Sequence, residues 1–349
     1  MQYVGIDWAY RHARWCAISE QGELTAEATT SADEDGLLRL VARLGPDVKA
    51  CVEMMSGAVW VRDRLEQAGW QVEVADARKV KALAPLAAKT DKVDARVLAT
   101  LCFRDLVPGL WVPSLSERAL REQLKRRAHL IRLRSSAKNR SFGLLSQWGL
   151  RLSLSRLREP EAMELLQSHG VPEVWRRSVC EAVALVDHLD RRLAPLERQL
   201  LPLARADRRV RLLESIPGVA SILGLTFAVE IGEVARFPSA RKLVGYSGLT
   251  PSVRQSGESS RTGRLAKAGS ATLRWAAVEA AQHAWRESNP WHGLYRDVKQ
   301  RSGKTNAAKS AVARKVLIAA WHVLSRGEPF KACRSRGTAP ASSPQPFAA

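Results

Sequence analysis

The segment that decides the fold is residues 1–30, MQYVGIDWAYRHARWCAISEQGELTAEATT. It contains three short runs rich in β-forming residues, at positions 3–8, 14–19 and 24–30. Downstream the hydrophobic period alternates between helix and strand, which predicts a helix at 33–44, a strand at 48–54, a helix at 58–68, a strand at 71–76 and a helix at 90–103. Three sequential strands followed by alternating helix and strand is the order found in ribonuclease-H-like folds. The sequence therefore predicts an N-terminal α/β domain of this class.

The balance of charge points to a polyanionic partner. The 349 residues include 55 Lys and Arg against 35 Asp and Glu, which gives a formal net charge of +20 and a pI near 10.4. Residues 1–110 hold 14 basic and 16 acidic residues, which leaves 41 basic and 19 acidic residues downstream. A solubilising charge would have no reason to be so uneven. The pattern suits an acidic catalytic module joined to modules that grip nucleic acid.

Composition argues against several other classes of protein. No run approaches the roughly 18 apolar residues of a membrane span, and the N-terminus lacks the basic-then-apolar order of a signal peptide. The five cysteines are scattered without a C-x-x-C pair, which argues against a zinc ribbon and against a disulfide framework. We therefore expect a cytoplasmic protein that associates with the nucleoid.

Two helices follow the α/β region. Residues 106–113 form a linker bounded by proline and glycine, and a basic helix at 114–148 precedes a second helix at 172–204. Apolar residues in the second helix recur at coiled-coil spacing, at Val186, Leu189, Leu193, Leu196, Leu200 and Leu203. Pro195 and Pro202 predict a kinked or broken helix. An intramolecular helical hairpin and an intermolecular coiled coil explain the pattern equally well.

These regions define four parts of the chain. We predict a catalytic domain at residues 1–108, a basic helical and coiled-coil segment at 109–208, a mostly α-helical C-terminal domain at 209–331 and a disordered tail at 332–349.

Four carboxylates occupy positions at which a metal site could form. Asp7 and Glu53 end predicted strands, and Asp91 and Asp94 lie three residues apart near the start of a helix. Taken singly, each could be an ordinary turn, cap or first-turn acid. Together they suit a pair of hard divalent ions, Mg²⁺ or Mn²⁺, which bind carboxylate oxygens and promote phosphoryl transfer. An actin-like ATPase is disfavoured, because no Asp-x-Gly-Gly, Walker A or G-x-G-x-x-G motif is present.

Basic residues concentrate in the helix after the linker. Residues 116–160 hold 12 Lys and Arg against 3 acids, and this excess favours phosphate contacts over a merely solvated face. The abundance of arginine suits phosphate and RNA recognition, although DNA and RNA are not separated on this evidence. The candidate contacts in this helix are Lys125, Arg126, Arg127, Arg132, Arg134, Lys138 and Arg140.

Two further segments are candidate nucleic-acid contacts. The turn at Ile216-Pro217-Gly218-Val219 is similar to the hairpin of helix-hairpin-helix modules, with a plain turn as the competing interpretation. Residues 245–269 are small, basic and rich in serine, so that a serine there could attack a phosphodiester. No histidine lies nearby in sequence, and activation would come from a metal, an arginine or another chain; a flexible phosphate-binding loop with ordinary serines is the alternative. The basic candidates of this segment are Arg254, Arg261, Arg264 and Lys267.

The order of these motifs resembles that of transposases of the IS110 insertion-sequence family, relatives of the Piv/MooV DNA invertases. The resemblance covers roughly residues 1–335 and rests on the order and spacing of motifs that are individually unspecific. The motifs are Gly5-Ile6-Asp7, Glu53-x-x-Ser56-Gly57, Lys89-Thr90-Asp91-x-x-Asp94-Ala95, Ser215-Ile216-Pro217-Gly218, Arg236-Phe237, Gly248-Leu249-Thr250-Pro251 and Ser256-Gly257.

The resemblance implies a RuvC-like domain with a DEDD metal site, a coiled-coil segment and a C-terminal domain with a nucleophilic serine. The metal site falls on Asp7, Glu53, Asp91 and Asp94, and the nucleophile on Ser256, with Ser252, Ser259 and Ser260 as fallbacks. It further implies a structured guide RNA encoded by the element, and homodimers that join into a tetramer with composite active sites. Met54-Met55 departs from the small residues that usually follow the glutamate in this family, which puts local packing in question.

We therefore expect a Mg²⁺-dependent, RNA-guided recombinase that cleaves and exchanges DNA strands through a covalent serine–DNA intermediate. One alternative is a RuvC-like hydrolytic endonuclease or Holliday-junction resolvase, in which Ser256 only contacts phosphate. The other is a catalytically inactive nucleic-acid-binding protein, which the basic helix alone would explain.

Overall fold

The computed structural model describes residues 1–83, 91–256 and 259–331, and of residues 91, 92, 253–256, 259–262 and 264 it describes the backbone alone. The predicted disordered tail at 332–349 lies outside the described residues. The chain forms two compact units, Met1–Ser114 and Leu115–Ala349. Along the described part of the chain, no helix is long and apolar enough to cross a membrane.

The first unit is built on a five-stranded sheet in the order β3-β2-β1-β4-β5. Its strands are β1 (Gln2–Trp8), β2 (His12–Ile18), β3 (Leu24–Ser31), β4 (Val48–Glu53) and β5 (Gln71–Ala75). The pairs β1–β2 and β2–β3 are antiparallel, whereas β1–β4 and β4–β5 are parallel. The predicted order of strands is confirmed, and this mixed sheet is that of a ribonuclease-H-like α/β fold.

Helices cover both faces of this sheet. They are α1 (Glu34–Leu44), α2 (Ala58–Gln67), α3 (Ala77–Leu83) and α4 (Asp91–Phe103). Leu40 of α1 and Leu65 of α2 share one hydrophobic core with Val4 on one face, and Leu98 of α4 shares another with Cys51 on the other face. Helix α1 begins at Asp33, whose carboxylate accepts a hydrogen bond from the Gly36 amide at 2.8 Å. The alternation of side chains along each strand thus separates the two hydrophobic layers.

The segment predicted as a linker belongs to the first unit. The Leu110 amide donates a hydrogen bond to the Val74 carbonyl at 2.7 Å, and Gly109 forms an isolated bridge with Ala75 of β5. Leu110 and Val112 also pack against the hydrophobic core. The segment therefore extends the sheet edge, and the first unit continues to Ser114.

A long helical hairpin opens the second unit. Helices α5 (Leu115–Ser146) and α8 (Glu173–Ala206) pack along each other, with α6 (Leu154–Leu157) and α7 (Ala162–Ser168) in the connection. The predicted seam from Val186 to Leu200 is buried within the chain, whereas Leu203 is 47% exposed. Of the two expectations for this helix, the broken one is wrong: α8 continues through Pro195 and Pro202, because the packed seam on either side outweighs the missing amide donors. A kink at the prolines stays a prediction. An intermolecular coiled coil stays a prediction.

The rest of the second unit is a helical bundle with one β-hairpin. Its helices are α9 (Arg208–Leu213), α10 (Ser221–Ile231), α11 (Ala240–Ser247), α12 (Ala271–Ala280), α13 (His292–Ser302) and α14 (Thr305–Arg326). Helix α10 is mostly apolar, with Thr226 and Glu230 as buried polar residues, and lies in the core against α5, α8, α9 and α12. The antiparallel hairpin of β6 (Pro251–Ser256) and β7 (Ser259–Leu265) stands where the sequence indicated an irregular Gly-rich stretch.

Candidate metal centre and nucleic-acid interface

Asp7 and Glu53 lie at the same edge of the first unit's sheet. Strands β1 and β4 are parallel, with Gly5 opposite Cys51 and Ile6 opposite Val52, so that both acids follow at their carboxyl ends. Each acid is two residues beyond a member of the Gly5–Cys51 pair, which places both side chains on the sheet face that α4 covers. Both are half-buried. This register brings the first two predicted ligands together.

Helix α4 runs antiparallel to these strands and directs its N-terminus towards the two acids. At the opposite edge, the Phe103 ring lies 5.3 Å from the Tyr3 ring, and Asp105 accepts a hydrogen bond from the Lys49 ammonium at 2.6 Å. A Cβ on Gly5 would lie 2.1 Å from the Ala95 carbonyl oxygen, so that the backbones of β1 and α4 are in contact midway. The first turn of α4, with Asp91 and Asp94, therefore lies at the edge where Asp7 and Glu53 emerge.

An ion pair fixes the far end of this helix. The Lys49 ammonium lies 2.6 Å from an Asp105 carboxylate oxygen and 3.4 Å from one of Glu73. The hydrogen bond from Lys49 holds the pKa of the Asp105 carboxyl below its usual range and raises the pKa of Lys49 itself. The ion pair anchors the segment after α4 to the start of β4, and so helps to set the axial position of the helix.

The donor set fits a hard divalent ion. Carboxylate oxygens from two strand ends and one helix are the ligands that Mg²⁺ and Mn²⁺ prefer. Over the residues whose side chains the structure describes, no group of three or more Asp, Glu, His or Cys is close enough to hold a metal. Asp91, one of the four predicted ligands, is outside that set of side chains. The roles of all four acids thus stay predictions that rest on register and helix direction.

An aromatic pair on the sheet face opposite to Asp7 was not anticipated from the sequence. Trp8, which follows Asp7 in the chain and is buried, lies 5.7 Å from the ring of Trp60 in α2. Gly57, which precedes α2 with a φ of 94°, lies beneath the Trp8 indole, and this accounts for the glycine of the Ser56-Gly57 motif. A tryptophan beside a strand-end acid was the available signal.

The two methionines after Glu53 are accommodated without disrupting the sheet. The Met54 amide donates a hydrogen bond to the Ala75 carbonyl at 2.9 Å, while its side chain is 42% exposed. Met55 packs against the hydrophobic core. The two methionines therefore leave the end of β4 intact.

The predicted basic contacts of α5 divide into exposed residues and residues paired within the hairpin. Arg127 donates two hydrogen bonds to Glu197 of α8 at 2.9 and 2.7 Å, and Arg134 lies 2.6 Å from Asp190. The exposed candidates are Lys125, Arg126, Arg132 and Arg140, and Lys138 is half-buried. Lys125, Arg132 and Arg140 are seven and eight residues apart, which places them along one side of the helix. We call this line of three residues the α5 basic stripe.

Gly218 has a packing role that is independent of any phosphate. Its φ is 87°, and a Cβ there would lie 2.0 Å from the carbonyl oxygen of Ala280 in α12. The backbone of the Pro217-Gly218 turn therefore lies directly against α12. A contact of Gly218 with nucleic acid stays a prediction, since the glycine is required by packing in either case.

The hairpin β6–β7 carries the predicted nucleophile. Ser256 is the last residue of β6 and is paired with Ser259, next to residues 257–258, which lie outside the described residues. The structure describes the backbone alone of Ser256, Ser259, Ser260, Arg254, Arg261 and Arg264. Ser252 is different, because its hydroxyl lies over Gly263, where a Cβ would approach it to 2.5 Å.

The base of this hairpin is held by close backbone contacts. A Cβ on Gly269 would lie 2.1 Å from the Tyr246 carbonyl oxygen, and the Ser270 amide donates to that same oxygen at 2.8 Å. Arg274 of α12 donates hydrogen bonds to the carbonyls of Ser247 and Lys267 at 2.9 and 3.3 Å. Lys267, a predicted contact, is exposed and has a φ of 52°. These contacts make the base of the hairpin rigid.

The Arg236-Phe237 motif is part of the same scaffold. The Arg236 guanidinium lies over the rings of Phe237 and Tyr246, at 4.2 and 4.6 Å, and donates hydrogen bonds to the carbonyls of Ile231 and Glu230. Arg121 of α5 also donates to Glu230 and to Val229. Two arginines thus satisfy the carbonyls that end α10, which stabilises a helix C-terminus.

Comparison with known proteins identifies the class to which this α/β fold and its helical second unit belong. Residues 4–149 match the DEDD transposase domain of the IS110 type, and residues 210–296 match the transposase IS116/IS110/IS902 family. Together the two domains identify the chain as an IS110/IS116/IS902-family transposase, an enzyme that acts on DNA.

Individual relatives are similar at low identity over most of the chain. The transposase for insertion sequence element IS1111A of Coxiella burnetii is 26% identical over 70% of this chain and 68% of its own length. A probable family 20 transposase of Pseudomonas aeruginosa is 26% identical, with coverages of 69% and 72%. An uncharacterized 44.8 kDa protein of insertion element IS116 from Streptomyces clavuligerus is 25% identical, with coverages of 92% and 94%.

Proposed function

We propose that this transposase cuts and rejoins DNA at a divalent-metal site formed by Asp7, Glu53, Asp91 and Asp94. The observation that carries the proposal is the common edge and common face of Asp7 and Glu53, towards which the first turn of α4 is directed. Mg²⁺ bound there, with Mn²⁺ as a substitute, would stabilise the charge that develops on a phosphodiester during its cleavage. The acids themselves fix the position of the cleavage site relative to the sheet.

Ser256 is proposed as the nucleophile. In the cleavage step its oxygen forms a bond to phosphorus, the bond to the leaving sugar oxygen breaks, and that strand end departs as an alcohol carrying the serine proton. The reverse reaction with another strand's hydroxyl rejoins DNA and frees the serine. The position of Ser256 at the end of β6, in a hairpin with a rigid base, supports this role, because a nucleophile must be presented to a bulky duplex.

The partners are proposed from charge and from the family. The α5 basic stripe suits phosphate contacts, and a structured guide RNA encoded by the element is proposed to occupy the basic second unit together with DNA. Ser256 and the four acids belong to different compact units. From the family resemblance we propose homodimers that join into a tetramer, with active sites to which two chains contribute, working in the cytoplasm with the nucleoid.

Covalent trapping tests this function. Purified protein, Mg²⁺, candidate guide RNA and end-labelled DNA are incubated and then denatured, and a protein–DNA adduct is expected that Ser256→Ala abolishes. Ser252→Ala is the matched control and retains the adduct, because the Ser252 hydroxyl packs over Gly263. Asp7→Asn and removal of Mg²⁺ by a chelator each abolish cleavage, whereas Asp35→Asn, an exposed acid of α1, leaves it unchanged.

The same experiment distinguishes the alternatives. Free nicked DNA without an adduct, produced equally by Ser256→Ala, would overturn the serine intermediate in favour of a hydrolytic endonuclease or resolvase. Binding of DNA and RNA without any cleavage, unaffected by Asp7→Asn, would indicate a binding protein only.

A further inference from the structure

A cavity of about 330 Å³ lies in the second unit, among the start of α13, the C-terminal half of α14 and the residues that follow α14. Its floor is one side of α14, where Ala319 and Val323 are buried and Ile318 is half-buried. Trp291 and Phe330 form its aromatic wall. The volume is at the lower end of the range for small-ligand sites, which is about 300–1,000 Å³. The matched family region ends at residue 296, before α14 begins.

The aromatic wall is held in place from behind. The Trp291 and Phe330 rings have centroids 5.5 Å apart at an interplanar angle of 46°. The Phe330 amide donates a hydrogen bond to the Ser215 hydroxyl at 2.7 Å, which ties the segment after α14 to the turn before α10. Gly327, with a φ of 68°, ends α14 and directs that segment back across the helix. The wall is therefore preformed.

The rim of the cavity is basic. Lys315, Arg326 and Lys331 are exposed around it, and His322 adds a titratable ring. Glu328 is the acid of the rim and lies 3.7 Å from the Lys331 ammonium. An anionic ligand with a flat apolar part would satisfy both the rim and the wall.

We propose that this cavity binds one unpaired nucleobase of a single-stranded nucleic-acid segment. The base stacks on the Trp291–Phe330 wall, and the flanking phosphates contact Lys315 and Arg326. Stacking on an aromatic ring tolerates any base, so the contact anchors a strand and does not read its sequence. A nucleotide is favoured over an acidic polypeptide because its charge and its flat ring are adjacent, as the rim and wall are here.

The inference rests on the proposed function only in taking nucleic acid as the partner. It is tested by fluorescence of 2-aminopurine placed once in a short single-stranded DNA, and in an RNA of the same sequence, without divalent metal. Wild-type full-length protein is expected to change the probe's fluorescence, and an abasic site at that position should weaken binding roughly tenfold, as for the loss of one stacked base. The DNA and RNA arms show which strand is bound more tightly.

Variants separate this site from the rest of the basic surface. Trp291→Leu and Phe330→Leu are each expected to weaken binding roughly tenfold, whereas Trp285→Leu, an exposed tryptophan outside the cavity, leaves binding unchanged. Lys315→Gln should reduce the salt dependence of single-strand binding by about 0.7 in the log–log slope. Because Trp291 also precedes α13, the Phe330 and abasic arms decide the outcome if the tryptophan variant does not fold.

Equal binding by wild type, Phe330→Leu and the abasic strand would overturn the proposal. Competition by an acidic peptide with one phenylalanine, at concentrations where a thymidine oligonucleotide does not compete, would overturn it in favour of a polypeptide ligand. The two proposals can fail separately. If covalent trapping fails while the 2-aminopurine signal still depends on Phe330, only the proposed function is overturned. If trapping succeeds while the signal does not depend on Phe330, only the nucleobase site is overturned.

Discussion

At the scale of single residues, the acids of the first unit were evident from the sequence, whereas the reason for their arrangement was not. Asp7 and Glu53 stand out because each ends an apolar run. In the sequence Gly5 is only part of a short motif. In the structure its lack of a side chain lets α4, about ninety residues downstream, lie against the β1 backbone. No local pattern contains that contact, and the same is true of Gly218 against Ala280.

Replacing Gly5 tests this interpretation. In Gly5→Ala the new Cβ would lie 2.1 Å from the Ala95 carbonyl oxygen and 2.2 Å from the Ala99 amide nitrogen, so that α4 must move. Because backbone cannot yield as a side-chain tip does, we expect a loss of about 1–3 kcal/mol or more in the free energy of unfolding. Cleavage should fall as well, since α4 carries two of the proposed ligands. Urea denaturation and the cleavage assay measure the two effects.

Gly109→Ala is the matched control for this substitution. A Cβ on Gly109 meets no atom within 4 Å, and its φ is not in the left-handed region, so its stability should change little. If Gly5→Ala proved as stable and as active as Gly109→Ala, the close approach of β1 and α4 would be refuted.

At the scale of secondary-structure elements, periodicity was sufficient where a long stretch has one buried face. The strands of the first unit and the two long helices of the second follow from it. The hairpin β6–β7 did not, because residues 251–256 alternate weakly and are polar, and what holds them is the close packing of Gly248 and Gly269 at their base. In α8 the prolines predicted a break that the structure does not have. The rule that proline ends a helix holds best for an isolated helix, whereas α8 is packed along α5.

The heptad seam of α8 provides a test at this scale. Leu193 and Leu203 both belong to the apolar residues at coiled-coil spacing in α8. In the structure Leu193 is 5% exposed, whereas Leu203 is 47% exposed. Leu193→Ala should therefore cost about 2–5 kcal/mol of unfolding free energy, the usual cost of emptying a packed leucine site. Leu203→Ala should cost far less. Thermal unfolding followed by circular dichroism measures both.

The same two variants distinguish an intramolecular hairpin from a coiled coil between chains. If the seam joined two chains, both leucines would be buried at the interface, and Leu203→Ala would shift the oligomeric state measured by analytical ultracentrifugation. Equal destabilisation by the two substitutions, together with dissociation, would contradict the hairpin.

At the scale of the whole molecule, the uneven charge of the sequence corresponds closely to the division into two units. The neutral third of the chain is the sheet with its acids, and the excess of positive charge is in the helical unit. Counting charges overstates the free surface, however, because Arg127 and Arg134 are paired with acids of α8. Composition could predict the kind of partner, and only tertiary contacts could show which cations remain exposed.

The separate cores of the two units predict independent unfolding, which the cysteines can report. Cys16, Cys51 and Cys102 are buried in the first unit, and burial raises the pKa of Cys102 to about 12, whereas Cys180 of the second unit is exposed. Brief alkylation, followed peptide by peptide, should label the exposed Cys180 in the native protein, slowly because partial burial raises the pKa of its thiol, and Cys16, Cys51 and Cys102 only after the sheet opens in urea. Cys333 lies outside the described residues, and its peptide is not used. Gly5→Ala should lower the urea concentration at which the first unit's cysteines become labelled, and it should leave the circular-dichroism transition of the helical second unit unchanged. Leu193→Ala should lower the circular-dichroism transition and leave the labelling midpoint unchanged. A shift of both transitions by either variant would show one cooperative molecule.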